Sequence, residues 1–499
     1  MAGPRGVPIP RRSVAQLGEV IGAGRLQRLT EVAGRFRARL GGRTIWNVNS
    51  TATGGGVAEM LNALLGYVLD LDLDVRWLVI GGDSDFFALT KGLHNRIHGA
   101  AAGGALTRAA AGHYEQVLAA NAEGLAALVR PDDIVVLHDP QTAGLAGHLA
   151  RHGARVVWRC HIGADRQDEV TRPAWEFLRP YVLAADAYVF TRSQYRPAWV
   201  PVERTWVVPP SIDPFAPKNQ DLDPDAVAGI LRTIGVLDST AGGPDGGAGG
   251  PDGGAGGPDG GAGGGATGPH PGSFVRLDGS AGEVTRAASV VAEARPGPDD
   301  PVVLQVSRWD RLKDMGGVMK AFADHVAPAG LGYLVLAGPQ VSEVSDDPEG
   351  AAVHAECLAA WRALPAAVRR RILLVTLPMD DVDENAAMVN ALQRHAAVIA
   401  QKSLAEGFGL TVAEAMWKRR PVVGAAVGGI QDQVVDGTGV LVDPYDLGAF
   451  GSTLRRLLDE PGHAMAMGEA AHAHVQREYV GDLHLLRYAQ LFETLLPDR

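Results

Sequence analysis

Two basic residues, five positions apart, follow an apolar segment of the chain. Arg308 and Lys313 come directly after Val302–Val306. Side chains just beyond the carboxyl end of a parallel strand line the crevice in which α/β proteins bind ligands. Two cations there could converge on a diphosphate and stabilise the charge that develops as its substituent leaves. The pair alone is a weak signal, because solvated arginine and lysine residues are common.

Two carboxylates lie eight residues apart in the segment 402–416. Glu406 sits in a glycine-flanked loop and Glu414 in the helix predicted to follow, while Gly407 and Gly409 open the N-terminus of that helix to phosphate. One glutamate could then bind sugar hydroxyls and the other ribose hydroxyls. A chance pair of solvated acids is the alternative, which the surrounding glycine and apolar residues disfavour.

A glycine run joins a strand-like segment ending at Val48 to a helix-like segment with apolar residues from Val57 onward. Gly55 and Gly56 would let backbone N–H groups approach an anionic or hydroxylated ligand at the positive end of the helix. The run lacks the third glycine and the ribose-binding acid of a dinucleotide fingerprint. A tight turn without a ligand is the alternative.

Composition restricts the class of protein. The 499 residues are 46% hydrophobic and 21% charged, which is typical of a globular chain of two domains. The net charge of −11 and the scattered basic residues exclude a nucleic-acid or anionic-membrane surface. The two cysteines lack metal-ligand spacing, and we find neither a signal peptide nor a membrane-length apolar run. We therefore expect a cytoplasmic enzyme acting on small molecules.

Short β-branched segments alternate with helix-like segments in two separate sets, as in parallel sheets with crossover helices. The pattern predicts an α/β protein of two doubly wound, Rossmann-like domains facing a cleft. The predicted strands are 44–48, 75–80, 134–137, 156–158, 188–190 and 206–208 in the first set, and 302–306, 333–336, 372–375, 398–399 and 421–423 in the second.

We predict an N-terminal domain over residues 1–215, a linker over 216–300 and a C-terminal domain over 301–479. Within the linker, 240–270 repeats Pro-Asp-Gly-Gly-Ala-Gly-Gly without large apolar side chains, so we expect a flexible insertion without a catalytic role. A helix within 480–499 is expected to cross back and complete the first domain.

Taken together, these motifs resemble a known family. The Arg308 and Lys313 pair, the Glu406 to Glu414 spacing and the Gly55-Gly56 turn look like the retaining glycosyltransferases of GT-B fold. More closely, residues 47–58, 81–87, 90–99, 158–161 and 401–414 resemble trehalose glycosyltransferring synthases and their relatives, the retaining trehalose phosphorylases. The likeness excludes mainly the glycine-rich insertion and the extreme N-terminus.

The resemblance implies roles for individual residues. Arg308 and Lys313 would hold the donor diphosphate, Glu414 the ribose, and Glu406 the transferred glucose. His161 would face that glucose from the first domain, although a lone histidine at a strand end is more often a structural hydrogen-bonder. Further contacts with the donor are expected from Gly55, Gly56, Gly407, Phe408, Gly409 and Leu410. Contacts with the nucleotide base are expected from residues 377–383. Contacts with the acceptor are expected from Asp83, Lys91, His94, Asn95 and Gln141.

No metal or other cofactor is expected. Asp83-Ser84-Asp85 imitates a metal-binding Asp-X-Asp motif, but the Arg308 and Lys313 pair already supplies the positive charge that a metal would bring. We find no metalloprotease motif, nucleophile elbow or P-loop. The resemblance implies retention of the α-configuration. Because we identify no candidate protein nucleophile, we favour front-face attack by the acceptor hydroxyl.

Three functions stay open from the sequence. A synthase would move glucose from a nucleoside-diphosphate glucose to glucose, forming trehalose; a trehalose phosphorylase would use inorganic phosphate in place of the nucleotide. A non-catalytic protein that binds nucleotide sugars is the third. The presence of all four candidate residues, two cations and two glutamates, favours an enzyme. The chain length favours the synthase. The related architecture implies a homodimer. Nothing in the sequence specifies the base of the nucleoside-diphosphate glucose.

Overall fold

The computed structural model describes residues 3–52, 56–100, 103–238, 272–341 and 348–496. It contains two seven-stranded, mainly parallel sheets with helices on their faces. The predicted fold class, two Rossmann-like sheets of a GT-B protein, is confirmed. The glycine-rich segment 240–270 lies outside the described residues.

The first sheet has the order β1-β3-β2-β4-β5-β6-β7, with β1 antiparallel to β3 and the other pairs parallel. Its strands are β1 Arg5–Val7, β2 Ile45–Asn49, β3 Val75–Val79, β4 Ile134–His138, β5 Arg155–Cys160, β6 Ala187–Phe190 and β7 Thr205–Val207. Its helices are α1 Val14–Ile21, α2 Ala23–Leu40, α3 Gly56–Asp70, α4 Ser84–Ile97, α5 Arg108–Ala126, α6 Asp139–Thr142, α7 Ala146–His152 and α8 Arg172–Val182.

A connecting region holds α9 Pro224–Thr233 and a hairpin of β8 Ser273–Val275 and β9 Ala281–Glu283. The second sheet follows, in the order β10-β13-β12-β11-β14-β15-β16, with β10 antiparallel. Its strands are β10 Ser289–Val291, β11 Val302–Val306, β12 Tyr333–Pro339, β13 Ile372–Leu377, β14 Val398–Gln401, β15 Val422–Ala425 and β16 Gly439–Val442. The remaining helices are α10 Met315–His325, α11 Pro348–Ala363, α12 Ala366–Arg369, α13 Val382–His395, α14 Leu410–Trp417, α15 Ile430–Gln433, α16 Leu447–Asp459, α17 Pro461–Glu478 and α18 Gly481–Leu495.

Every strand predicted from the sequence overlaps an observed strand, because strands covered by helices on both faces are apolar along their length. The carboxyl ends of β2, β4 and β5 meet at one edge of the first sheet, and those of β11 and β14 at one edge of the second. The candidate residues follow these edges. Within the described ranges, no helix is long and apolar enough to cross a bilayer.

The C-terminal helix α18 packs against α2 of the first unit. Phe492 stacks on Phe36 with ring centroids 6.1 Å apart. The buried Asp482 carboxylate accepts hydrogen bonds from Arg25 at 2.8 and 2.5 Å, and Arg25 also donates to the Gln476 carbonyl. An ion pair and an apolar seam therefore fasten the end of the chain to its beginning.

The end of β4 is joined to the end of β5 through Asp139. Its backbone adopts φ +62°, which is rare for a residue with a side chain. The carboxylate accepts a hydrogen bond of 2.7 Å from the His161 amide. Burial raises the pKa of Asp139 to about 7, although the His161 amide and the Arg159 charge oppose the shift. This turn therefore fixes the position of His161 at the sheet edge.

Replacing Asp482 by alanine should leave the Arg25 guanidinium without its buried counterion. We expect a loss of about 3 kcal/mol in the free energy of unfolding, measured by urea denaturation. Glu478→Ala is the control, because Glu478 forms an exposed pair with Arg477 and should cost less than about 1 kcal/mol. Equal losses in the two variants would contradict a structural role for the Arg25 pair.

Asp139→Asn should change how stability depends on pH. A carboxyl whose pKa is raised by folding stabilises the native state at low pH, and this contribution is lost as the pH rises through about 7. Between pH 5 and pH 8 the variant should therefore gain roughly 3 kcal/mol relative to the wild type. Urea unfolding of both proteins at the two pH values checks this, and parallel losses would refute it.

Candidate active site

The loop before α14 lies between the two sheets. Tyr195 follows β6 of the first unit. Its hydroxyl donates hydrogen bonds to the carbonyls of Glu406 at 2.9 Å and Gly407 at 2.5 Å. A Cβ on Gly407 would lie 3.1 Å from the His98 ring at the end of α4. The loop is therefore held against the first unit from two sides.

Glycine is required at two places around this loop. Gly409 has φ +83° and directly precedes α14. Gly428, in the turn after β15, has φ +50°, and a Cβ there would lie only 1.8 Å from the Glu406 carbonyl oxygen. The close approach fixes the loop and leaves the Glu406 side chain free to point away from it.

Glu406 and Lys313 form a partly buried ion pair. Lys313 Nζ lies 2.5 Å from Glu406 Oε2, and Ser403 Oγ donates to the same oxygen at 3.2 Å. Only 16% and 11% of the lysine and glutamate side chains are exposed. The two residues, 93 positions apart, are thus brought together by the adjacent strands β11 and β14.

Arg308 is the more exposed of the two candidate cations. Its side chain is 67% exposed and donates to Asp310 at 3.1 Å. Burial lowers the pKa of His98 to about 4, with further contributions from Lys313 and Arg308. Burial likewise lowers the pKa of His94 to about 3, and His98 and Arg308 add to the shift. The charges of the second unit therefore act on the histidines at the end of α4 in the first.

A cavity of about 330 Å³ lies beside this loop, between α3, the 211–219 segment and the start of α13. Glu414, only 4% exposed, lines it. Among the described residues, its Oε2 has no hydrogen-bond partner, while Lys218 lies 3.7 Å from Oε1. Leu410 and the predicted base-contact residues Met379, Val382 and Asp383 line the same cavity.

The remaining donor candidates differ in position. Gly56 is the first residue of α3, and a Cβ on it would lie 2.9 Å from the Leu410 side chain across the cleft. Gly55 lies outside the described residues. Phe408 is buried and packs on Tyr479, with ring centroids 5.5 Å apart, so it supports the loop from beneath.

His161 belongs to a buried chain of hydrogen bonds. His138 Nε2 lies 3.1 Å from Asn47 Oδ1, which can only accept, so His138 Nδ1 is left as an acceptor. His161 Nε2 then donates to His138 Nδ1 at 2.9 Å, and His161 Nδ1 accepts from Arg159 Nε at 3.2 Å. Burial and the Arg159 charge hold the pKa of His161 well below its ordinary value.

Both ring nitrogens of the neutral His161 thus have partners within the first unit. A sugar hydroxyl could bind this ring only by replacing one of them. Its carbonyl, by contrast, lies close to the cleft, 3.7 Å from where a Cβ on Gly407 would stand. The role of His161 toward glucose stays a prediction.

The acceptor candidates are spread over α4 and α6. Asp83 caps α4 by accepting from the Phe86 amide at 2.8 Å, and it lies 2.9 Å from His113. Lys91 is exposed, whereas His94 packs on His98 at the cleft. Asn95, beside His94, and Gln141, on α6, are partly buried. The structure therefore places His94 against His98 and gives Asp83 a capping role.

Several residues that make contacts at the cleft were not predicted from the sequence. Tyr195 and His98 hold the glycine loop, and Lys218 pairs with Glu59 at 2.9 Å as well as with Glu414. Arg192 bridges the units through Asp165 and Asp432. His98 lies in the family-like segment 90–99 but was given no role there; Tyr195, Lys218 and Arg192 lie in none of the quoted segments, and their partners are distant in sequence.

Within the part of the chain that the structure describes, no group of three or more histidine, cysteine or acidic residues is placed to hold a metal ion. The arrangement that is present, two cations and a glutamate at an interdomain cleft, is suited to holding an anionic leaving group beside a hydroxylated one.

Comparison with known proteins agrees with this geometry. The family model "Trehalose synthase, N-terminal domain" matches residues 47–197, and "Glycosyl transferases group 1" matches residues 379–474. A solved UDP-forming α,α-trehalose-phosphate synthase from Burkholderia xenovorans superposes with a TM-score of 0.64 at 16% identity, over 91% of this chain and 100% of that one, which shows the shared fold.

Two curated relatives extend along most of the sequence. A trehalose phosphorylase from Pleurotus pulmonarius is 25% identical over 92% of this chain, but the match covers 58% of that protein. A trehalose synthase from Rubrobacter xylanophilus is 32% identical over 94% of this chain and 93% of its own length. This chain therefore belongs to the trehalose synthase family, among the glycosyltransferases of GT-B fold.

Proposed function

We propose that the protein is a retaining hexosyltransferase that makes α,α-trehalose by moving glucose from a nucleoside-diphosphate glucose to glucose. The observation that carries this proposal is the ion pair of Lys313 with Glu406, which lies in a loop that Tyr195 of the first unit holds at the interdomain cleft. Membership of the trehalose synthase family supports the sugar. The reaction is reversible, because the glucosyl–phosphate bond of the donor is exchanged for the glucosyl–glucose bond of trehalose.

The proposed roles follow the geometry. Lys313 and Arg308 contact the donor diphosphate, Glu406 with the backbone of the following loop binds the transferred glucose, and Glu414 accepts hydrogen bonds from the ribose. The unpaired Oε2 of Glu414 and the cavity around it support the last assignment. The acceptor glucose would enter from the α4 side, near His94 and Asn95.

The proposed reaction is a front-face displacement. The bond between the glucosyl anomeric carbon and the phosphate oxygen breaks, and the acceptor oxygen forms its bond on the same face. The acceptor hydroxyl passes its proton to the departing phosphate oxygen, while Lys313 and Arg308 stabilise the negative charge there. This scheme uses no metal or cofactor, and each atom of the two substrates is accounted for in trehalose and the nucleoside diphosphate.

A trehalose phosphorylase is the second candidate, because one relative carries that name and phosphate could occupy the same cation site. The chain is 32% identical to the synthase relative and 25% identical to the phosphorylase, which favours the synthase. The buried and unpaired Cys160 and Cys357 suit the reducing cytoplasm that we propose as its location. A homodimer stays a prediction.

A product assay tests the proposal. The protein is incubated with glucose and ADP-, UDP- or GDP-glucose, and in reverse with trehalose plus either nucleoside diphosphate or phosphate. Trehalose from a nucleotide sugar, and nucleotide-sugar formation in reverse, are expected. Release of glucose and glucose 1-phosphate from trehalose and phosphate, without any nucleotide sugar formed in the other arm, would establish the phosphorylase. Nucleotide-sugar binding without any turnover would establish a non-catalytic protein.

Lys313→Ala should lower kcat by about 100-fold or more, because it removes a charge from the departing phosphate. Lys320→Ala is the matched control: this exposed lysine on α10 pairs with Asp324 away from the cleft and should leave kcat unchanged. Both variants are compared in initial-rate assays of trehalose formation. Near-normal turnover of Lys313→Ala would remove Lys313 from the mechanism.

A further inference from the structure

The short hairpin of β8 and β9 belongs to neither sheet, yet it is fastened to the wall of the candidate donor cavity. Its turn lies against the N-terminus of α13: Arg276 binds Asp381 at 2.8 Å, and the Leu277 amide donates to Asp383 at 2.9 Å. The hydrogen bond from Arg276 is the main cause that lowers the pKa of Asp381 to about 2. The turn is therefore held in place by charged contacts.

Two further contacts hold the base of the hairpin. Val275 exchanges hydrogen bonds with the Gln220 side chain at 2.7 and 2.9 Å. After β9, the Thr285 and Arg286 amides donate to the buried Glu384 carboxylate at 2.6 and 2.8 Å. The hairpin thus has a defined position, determined by α13 and the segment before α9.

Leu277 is the hairpin residue that reaches the cavity. It shares the lining with Met379 and Val382, whose side chains are 46% and 54% exposed. Large apolar side chains left this open in a cavity favour a flat apolar ligand that would cover them. These three residues form what we call the apolar wall.

The other side of the cavity presents oxygen atoms. Asn62, Ser211, Asp213 and Glu414 all line it. In the described part of the chain, Asn62 Oδ1, Ser211 Oγ, Asp213 Oδ2 and Glu414 Oε2 are buried without a hydrogen-bond partner. Buried unpaired acceptors are costly, so a ligand rich in hydroxyl donors fits this side.

We propose that the β8–β9 hairpin forms one wall of the donor nucleotide site and that Leu277 contacts the base. This inference rests on the proposed function and extends it. A nucleoside combines a flat, largely apolar base with a ribose diol, which matches the apolar wall and the oxygen-lined side. The cavity volume of about 330 Å³ is within the usual range of small-molecule sites. Leu277 is therefore a base-contact residue supplied from outside both sheets.

The test compares two alanine variants of the same hairpin. Leu277→Ala should weaken binding of the preferred nucleoside diphosphate, measured by calorimetry with ADP, UDP and GDP, by about tenfold, and raise KM for the nucleotide sugar similarly. The values of kcat and of KM for glucose should stay within about twofold of the wild type, since no reacting atom is touched. Val275→Ala, whose side chain is 50% exposed and does not line the cavity, should bind normally.

A measurement on the wild-type protein covers the case in which Leu277→Ala does not fold. Hydrogen exchange of residues 272–286 should slow on addition of the nucleoside diphosphate. Unchanged exchange, or wild-type affinity of Leu277→Ala for all three nucleotides, would overturn the inference while leaving trehalose synthesis intact. Weakened nucleotide binding in a protein that makes no trehalose would instead contradict the proposed function and support the nucleotide wall.

Discussion

The placement of one loop between the two sheets determines the rest of the site. The loop starts where β14 ends, and its carbonyls are held by Tyr195 of the first unit while Gly428 packs against it from the second. Because the backbone is fixed from both sides, the Glu406 carboxylate meets Lys313 and helix α14 starts where Glu414 can line the cavity. A cleft between two separately folded units is thereby given a defined geometry.

The sequence predicted the sheets well because parallel strands with helices on both faces are apolar throughout. It missed β1, β10 and β16, which lie at sheet edges and carry exposed or half-exposed residues. The hairpin of β8 and β9 was missed for a related reason. Its strands are three residues long, and its position depends on ion pairs with α13 that no local pattern encodes.

The proximity of Lys313 and Glu406 could be predicted from the sequence, whereas their roles stay predictions. Lys313 and Glu406 each follow a strand, and neighbouring parallel strands bring such positions together. Asp83 was predicted only as an acceptor contact, although an aspartate that opens a helix is a common N-cap and this local signal indicates the capping role that the structure shows. Tyr195 and Lys218 could not be found in this way, because their partners are fixed by the relative placement of the two units. The same holds for the ring of His161, whose tautomer is set by Asn47 and Arg159 through His138.

In the proposed reaction, the Lys313 and Glu406 pair would also relate sugar binding to phosphate binding. A mostly buried ammonium group needs a counterion, and Glu406 supplies it in this structure. A diphosphate on the same lysine would bring its own negative charge, so Glu406 would no longer be needed as the main counterion. Its oxygens could then accept hydrogen bonds from sugar hydroxyls. A nucleotide sugar satisfies both requirements at once, whereas a free sugar leaves Lys313 dependent on Glu406, and this difference favours the activated donor at the cleft.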